Sequence, residues 1–240
     1  MRKLMVKDRM LVTAVGAITP EELARMIDKA VAGLPDTSEI EAVADIMLPA
    51  APVEPILVDL PQPQSLVSFS APGLKRDDPD FFTAYVLNYT VGGGGFESRL
   101  MKTLRVEKGL TYGIYTGLSN SDHLDTWSGG GQTKNESAGE FLTGIHDELD
   151  KFVVDGVTLE ELDDAKAYLT GSYALGFDSN AKIADQMMGV RKEELGIDYF
   201  DTRNAKINDV TLDDVNRVAK AYLSPDKFTF VIVGEPEGIE

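Results

Sequence analysis

The sequence lacks cysteine, has only two histidines, and contains no apolar run as long as a membrane-spanning helix. Without cysteine the chain has neither a disulfide nor a thiol nucleophile, and a membrane span needs roughly 18 consecutive apolar residues. The N-terminus begins basic and then turns apolar, without the hydrophobic segment and cleavage site of a signal peptide. These features predict a soluble protein and fit the cytoplasm as well as the periplasm.

The two histidines do not form a recognisable metal site. His123 lies in a polar stretch and His146 lies within a predicted helix. Neither belongs to the H-E-x-x-H or H-x-x-E-H pattern, which places two imidazoles and a glutamate on one helical face. Because cysteine ligands are absent as well, the sequence predicts no metal-binding residue in this chain. It also lacks the G-x-S-x-G pattern of an activated serine.

Basic residues are scarce compared with acidic ones: 23 against 40, a net charge of −17. A surface this acidic repels phosphate backbones and anionic lipids, so we expect no nucleic-acid or membrane partner. It attracts basic peptides or simply keeps the protein dissolved, and composition does not separate these two roles. With 240 residues, 43% of them hydrophobic, the chain is long enough for a sizeable core.

Apolar periodicity and capping signals predict a mixture of helices and strands. Thr19-Pro20 and Thr158 begin helices with capping-box spacing, and Thr211 does so with aspartate at the third position. Residues 35–55 are rich in proline and read as a linker. The predicted strands are Met10–Ala17, Ile56–Leu60, Ser65–Ser70, Leu110–Leu118, Thr126–Thr133 and Phe228–Gly234, and the predicted helices are Pro20–Ala32, Asp77–Val91, Ser98–Lys108, Ser137–Asp155, Leu159–Tyr173, Ser179–Leu195 and Leu212–Leu223.

The two ends of the chain resemble each other. Met10–Gly16 reads MLVTAVG and Phe228–Gly234 reads FTFVIVG, each an apolar strand closed by glycine. One interpretation is an internal repeat: residues 1–52 hold the last strand and helix of a preceding copy plus a linker, and residues 53–240 form a complete second copy. The alternative is that two unrelated strands share a common apolar pattern.

Four consecutive glycines, Gly92, Gly93, Gly94 and Gly95, join two predicted helices. No Gly-Lys-Ser/Thr follows them and no strand precedes them, so they are neither a P-loop nor a dinucleotide fingerprint. They could form a flexible loop that lets a peptide backbone approach closely. The structural alternative is a tight helix–helix turn that needs positive φ.

The segment from Arg105 to Tyr112, RVEKGLTY, places an arginine on the last turn of a helix and a tyrosine on the following strand. A helix–glycine–strand corner can bring these two side chains to one spot. Guanidinium and phenol both donate hydrogen bonds, and together they could hold a peptide carbonyl or a developing oxyanion. The alternative is that Arg105 caps its helix and Tyr112 packs in the sheet.

These segments resemble the M16 metallopeptidases of the pitrilysin, insulin-degrading and mitochondrial-processing type. The similarity lies in the glycine run, Ser98-Arg99-Leu100, the Arg105–Tyr112 segment, the Thr158 helix start and the closing FTFVIVG strand. It implies an α+β, two-layer domain with a mostly antiparallel sheet packed against helices, preceded by the terminal strand and helix of a previous copy.

The resemblance also implies roles. Arg105 and Tyr112 match the pair that contacts the substrate carbonyl opposite the zinc, and Gly92–Gly95 match a glycine-rich segment that handles peptide. Zinc is expected in an N-terminal half or partner subunit, with no cofactor in this chain, which alone should be inactive. The expected function is the substrate-binding half of a zinc endopeptidase acting on peptides or unfolded protein. The alternatives are a structural assembly subunit or a stand-alone peptide-binding module.

Overall fold

The computed structural model describes residues 3–51 and 54–239. The chain divides into two compact units. Unit one comprises Met1–Ala44 and Thr170–Asn204, and unit two comprises Asp45–Leu169 and Ala205–Glu240.

The described part of the chain contains both strands and helices, as predicted for an α+β protein. The strands are β1 (Ile56–Asp59), β2 (Gln64–Pro72), β3 (Thr111–Asn120), β4 (Asp125–Lys134) and β5 (Thr229–Gly234). The α-helices are α1 (Pro20–Val31), α2 (Phe81–Asn88), α3 (Ala138–Val154), α4 (Leu159–Gly171), α5 (Asn180–Lys192), α6 (Tyr199–Asn208) and α7 (Leu212–Tyr222). Two π-helical segments, Tyr89–Gly93 and Met101–Glu107, lie between α2 and β3.

Unit two is built on one five-stranded sheet with the order β1-β5-β2-β4-β3. All neighbouring strands run antiparallel except β1 and β5, which run parallel. Along β2, Ser65, Val67, Phe69 and Ala71 are buried, whereas the residues between them are exposed or half-buried. This alternation is typical of a sheet with one covered and one open face. The predicted mostly antiparallel sheet is confirmed.

The helices of unit two cover the buried face of the sheet. Phe141, Ile145, Leu149 and Phe152 recur along α3 at helical spacing and are fully buried. Trp127 of β4 lies in the same core. One apolar stripe of α3 and the inward residues of the strands therefore make a continuous core.

Capping chemistry fixes where three of the helices begin. The hydroxyl of Thr19 accepts a hydrogen bond from the backbone amide of Glu22. In return, the side-chain carboxylate of Glu22 accepts one from the backbone amide of Thr19. Thr158 and Glu161 make the same reciprocal bonds. Thr211 does so with Asp214, so the shorter aspartate side chain also closes the box.

Unit one corrects one prediction. The apolar segment Met10–Ala17, expected to be a buried strand, forms no β-ladder, and Met10, Leu11 and Val12 are exposed. A strand needs a hydrogen-bonded neighbouring strand, and no described residue pairs with this segment in a ladder.

Helix α6 was not predicted, because its sequence YFDTRNAKIN has no clear apolar period.

Candidate functional site

The corner between the second π-helical segment and β3 carries Arg105. After this segment Gly109 adopts φ of +65°, a left-handed value that a glycine takes without strain. The amide of Leu110 then donates to the carbonyl of Leu104 at 2.8 Å, and β3 begins at Thr111. The predicted helix–glycine–strand corner is therefore present. Its helical part has π rather than α geometry, which is frequent at functional sites.

A β-bulge sets the position of Tyr112. Thr111 and Ile114 of β3 pair with β4 in register, and Tyr112 and Gly113 form the irregularity between them. The amide of Gly113 donates to the hydroxyl of Thr111 at 3.1 Å. Because of the extra residue, Thr111 and Ile114 are both buried although three positions separate them. Tyr112 stays on the open side, with 85% of its surface exposed.

Arg105 and Tyr112 line the same cleft, which has a volume of about 430 Å³. We call it the basic cleft. Its lining residues are Gln64, Arg105, Gly109, Leu110, Thr111, Tyr112, Gln132, Thr133, Lys134 and Ser137. The structure thus places on one cleft the two residues that the sequence proposes as a pair, while the four glycines of the 92–95 run are not among the lining residues.

A second cleft, of about 400 Å³, lies on the open face of the sheet. We call it the sheet-face cleft. Its lining residues are Gln64, Leu66, Thr111, Tyr112, Gly113, Tyr115, Gly130, Gly131 and Gln132. It shares Gln64, Thr111, Tyr112 and Gln132 with the basic cleft, so the two form one continuous depression. Its lining carries no charged side chain.

Phe96 holds the guanidinium of Arg105. The Arg105 Cζ lies 4.3 Å from the centroid of the Phe96 ring, close enough for a cation–π contact. Phe96 directly follows Gly95, whose φ of +57° turns the chain there. Sequence reasoning missed Phe96. The only signal for it was an aromatic residue placed immediately after the glycine run.

The first three glycines of the run are close-packed. A Cβ on Gly92 would lie 2.6 Å from Thr116 Oγ1, and one on Gly93 would lie 2.6 Å from Asn88 Nδ2. A Cβ on Gly94 would come equally near the carbonyl of Tyr89, at 2.7 Å. These contacts favour the tight-turn interpretation of the run. A role of Gly92–Gly95 in handling peptide stays a prediction.

Comparison with known proteins decides the family. The profile of the peptidase M16 inactive domain matches residues 1–169.

The chain belongs to the peptidase M16 inactive-domain family.

Relatives and solved structures agree with this assignment. The non-peptidase homolog YmxG of Helicobacter pylori is 30% identical over 171 residues, which cover 71% of this chain and 39% of that protein. A protein of Streptomyces coelicolor described as an uncharacterized zinc protease is 32% identical over 166 residues, covering 67% of this chain and 35% of its own length. The chain therefore spans less than half the length of these curated relatives.

Among crystal structures, a peptidase M16 inactive domain from Pseudomonas fluorescens matches with a TM-score of 0.81 and 27% identity, over 94% of this chain and 54% of that one. The α+β, M16-like fold is confirmed. The matched domain is the inactive domain of a family whose relatives include proteins described as zinc proteases. No helix in the described ranges is both long and apolar enough to cross a membrane.

The described residues of this M16 domain offer no site for zinc. Nowhere within residues 3–51 and 54–239 do three or more His, Asp or Glu side chains lie together in an arrangement that could hold a metal ion. His123 Nδ1 lies 3.2 Å from a carboxylate oxygen of Asp45 near the surface. His146 packs against the ring of Phe230, with 4.5 Å between ring centroids. Neither histidine therefore belongs, among the described residues, to a group of side chains that could hold zinc.

Burial of His146 predicts a pH-dependent stability. Its Nε2 is buried and has no hydrogen-bond partner among the described residues. Burial lowers the pKa of His146 below 6.5, and the nearby carboxylates of Asp150 and Asp147 oppose this only in part. As pH falls through about 6.5, the unfolded chain binds a proton that the folded chain does not, so the free energy of unfolding decreases, by at most about 1.4 kcal/mol per pH unit.

Urea denaturation of the wild type and of His146→Gln between pH 8 and pH 5 measures this effect, since glutamine does not titrate. We expect the stability difference between the two proteins to change in favour of the variant as the pH falls. Parallel curves for both proteins would contradict it. The depressed carboxyl pKa values of Asp36, Asp80, Glu161 and Asp214 act below pH 5, outside this window.

Proposed function

We propose that this chain is the substrate-binding half of an M16 zinc endopeptidase and holds an extended peptide against a zinc site on a paired domain. The observation that carries the proposal is that Arg105 and Tyr112, seven positions apart, line one cleft. Arg105 lies on the second π-helical segment and Tyr112 on β3, with a left-handed glycine between them and a β-bulge at Tyr112.

The chemistry of the pair suits a carbonyl oxygen. Guanidinium only donates hydrogen bonds, and the phenol of Tyr112 donates through its O–H. Two donors aimed at one oxygen stabilise the negative charge that develops there during attack on a peptide bond. The stacking of Arg105 on Phe96 restricts the guanidinium before substrate arrives, which lowers the entropic cost of binding.

The outer edge of β3 offers little room for an added peptide strand. The backbone N–H of Ile114 donates to the sulfur of Met101 at 3.3 Å, and the backbone carbonyl of Thr116 accepts from the side-chain amide of Asn88 at 3.3 Å. These backbone groups are therefore already engaged. We place the peptide instead across the basic cleft and the sheet-face cleft, where the bulged residues Tyr112 and Gly113 leave the regular ladder.

Unit one supports the presence of a paired domain. The apolar segment containing Met10, Leu11 and Val12 is exposed and makes no β-ladder. Helix α1 has a strongly amphipathic sequence, yet none of its residues is buried. Uncovered apolar surface of this kind marks an interaction site. We propose that the zinc-bearing domain covers it, as the predicted strand and helix of a preceding copy would require.

Cleavage of a fluorogenic peptide by this chain together with a zinc-bearing M16 domain tests the proposed function. Arg105→Ala removes a charged donor from the developing oxyanion, so we expect kcat/KM to fall about 100-fold. Tyr112→Phe removes one neutral hydrogen bond, for which we expect a loss of about tenfold. Each variant should keep the wild-type melting temperature, because Arg105 is half-buried at the surface and Tyr112 is exposed.

The matched control is Lys220→Ala, which removes a positive charge from the exposed side of α7. It should leave kcat/KM unchanged. If Arg105→Ala and Tyr112→Phe also stay within about twofold of the wild type, the pair does not contact the reacting carbonyl and the assigned roles are wrong.

A further inference from the structure

The basic cleft differs in charge from the rest of the molecule. The chain has 40 acidic and 23 basic residues, yet the charged residues that line this cleft are Arg105 and Lys134, and no aspartate or glutamate is among the lining residues. The sheet-face cleft that continues from it is lined by uncharged residues only. The depression that we assign to the peptide is therefore locally positive at one end and neutral along the rest.

Several polar groups in the basic cleft are already engaged with the protein. The hydroxyl of Thr111 donates to the carbonyl of Gln132 at 2.6 Å, and that of Thr133 donates to the carbonyl of Leu110 at 2.6 Å. Both threonine hydroxyls therefore bond to the backbone of the protein and do not donate to a ligand. Lys134 stands at the end of β4, exposed to solvent, and brings the second positive charge of the cleft.

We propose that Lys134 is a specificity-determining residue that recognises a carboxylate of the bound peptide, while Arg105 holds the scissile carbonyl. This inference rests on the proposed function and adds a preference to it. The carboxylate comes from an acidic side chain or from the free C-terminus of the peptide, since both present the same group. An ammonium at the edge of a cleft that no carboxylate lines attracts either one.

The net charge of −17 does not prevent this recognition. At physiological ionic strength, charges more than about 8 Å apart at a protein surface are largely screened, so the groups that line the cleft decide which peptide binds. The one acidic neighbour that pairs with Lys134 among the described residues is Glu136, at 3.9 Å. Both side chains are mostly exposed, and such a pair is weak.

Fluorescence anisotropy of labelled peptides with the full chain tests the proposal. One pair of amidated peptides differs only in Asp against Asn, and a second pair has Asn and differs in a free against an amidated C-terminus. We expect at least one carboxylate peptide to bind about threefold tighter than its neutral partner. The difference should vanish at about 1 M salt, and the pair that shows it identifies the source of the carboxylate.

Three variants test whether Lys134 causes the preference for a carboxylate. Lys134→Gln should abolish the preference and leave the affinity of the neutral peptides unchanged. Glu136→Gln should increase the preference, because Lys134 loses its competing partner. Lys220→Gln changes the net charge by the same amount on α7, away from the residues that line the cleft, and should keep the wild-type preference.

Several results would overturn the inference. Equal affinities within each peptide pair, or a preference that survives in Lys134→Gln, contradict the role of Lys134 and leave the proposed function standing. If no peptide binds at all, the peptide-binding role in the proposed function is contradicted together with it. An equal loss of affinity for neutral and acidic peptides in Lys134→Gln also rejects the specificity role.

Discussion

Arg99→Ala is expected to lower the free energy of unfolding by about 3 kcal/mol. The Arg99 guanidinium donates to both carboxylate oxygens of Glu161 at 2.6 Å and to the carbonyl of Gly156 at 2.8 Å. It also lies 4.3 Å from the centroid of the Phe152 ring. The side chains of Arg99 and Glu161 are only 17% and 26% exposed. Removing the arginine leaves a largely desolvated carboxylate without its partner.

The expected loss of unfolding free energy is large because the Glu161 carboxylate takes part in two interactions. The same carboxylate oxygen that meets Arg99 accepts from the amide of Thr158 at 2.9 Å, closing the capping box of α4. Burial raises the pKa of Glu161, but the hydrogen bonds from Arg99 and Thr158 outweigh it and leave the pKa below 4.5. This contribution to stability is therefore complete above pH 4.5 and is lost as the pH falls through the lowered pKa.

Urea denaturation of Arg99→Ala, Glu161→Ala and Arg99→Met/Glu161→Met measures the effect. The apolar pair should be more stable than either single alanine variant, because no buried charge is left unpaired. Arg217→Ala is the control, since Arg217 bonds Asp80 in two places at 2.7 Å but is 54% exposed. It should cost less than about 1 kcal/mol. Equal losses at Arg99 and Arg217 would show that burial does not strengthen the ion pair.

Sequence spacing predicted those parts of the molecule that depend on contacts between residues close together in the chain. The three capping boxes join residues three positions apart, so their sequence spacing contains the whole geometry. The predicted strand Ser65–Ser70 likewise lies within β2. The corner between Arg105 and β3 was also predictable from Gly109, whereas the bulge at Tyr112 was not predicted.

Contacts between distant segments explain the failures. Met10–Ala17 has the composition of a strand, but whether it pairs depends on a neighbour that the segment itself does not specify. The stack of Phe96 on Arg105 depends on the turn at Gly95. Arg99, which the sequence presents only as part of a family motif, meets Glu161 62 positions away. No period or spacing encodes such a pairing.

Asn88→Leu is expected to destabilise the fold by about 3 kcal/mol, because two buried polar groups lose their partners at once. Asn88 is 8% exposed and lies at the end of α2. Its amide oxygen accepts from Trp127 Nε1 at 2.9 Å, and its amide nitrogen donates to the carbonyl of Thr116 at 3.3 Å. Trp127 is 1% exposed, so no water replaces the lost bond.

The double variant Asn88→Leu/Trp127→Phe separates hydrogen bonding from packing. Phenylalanine carries no N–H, so the double variant should lose less stability than the sum of the two single variants. Asn208→Leu, a substitution of the same type at an exposed position of α6, should change stability by less than about 0.5 kcal/mol. Additive losses at Asn88 and Trp127 would contradict the coupling.

The position of Asn88 links this stability to the candidate site. Asn88 immediately precedes the π-helical segment that leads through the glycine run to Phe96, and its bond to Thr116 fixes that segment against β3. Phe96 holds Arg105, whereas β3 carries Tyr112. If this bond sets the spacing of the pair, Asn88→Leu should lower kcat/KM for the reconstituted peptidase even well below its melting temperature. Unchanged kcat/KM in the folded variant would show that the corner at Gly109 alone determines the geometry.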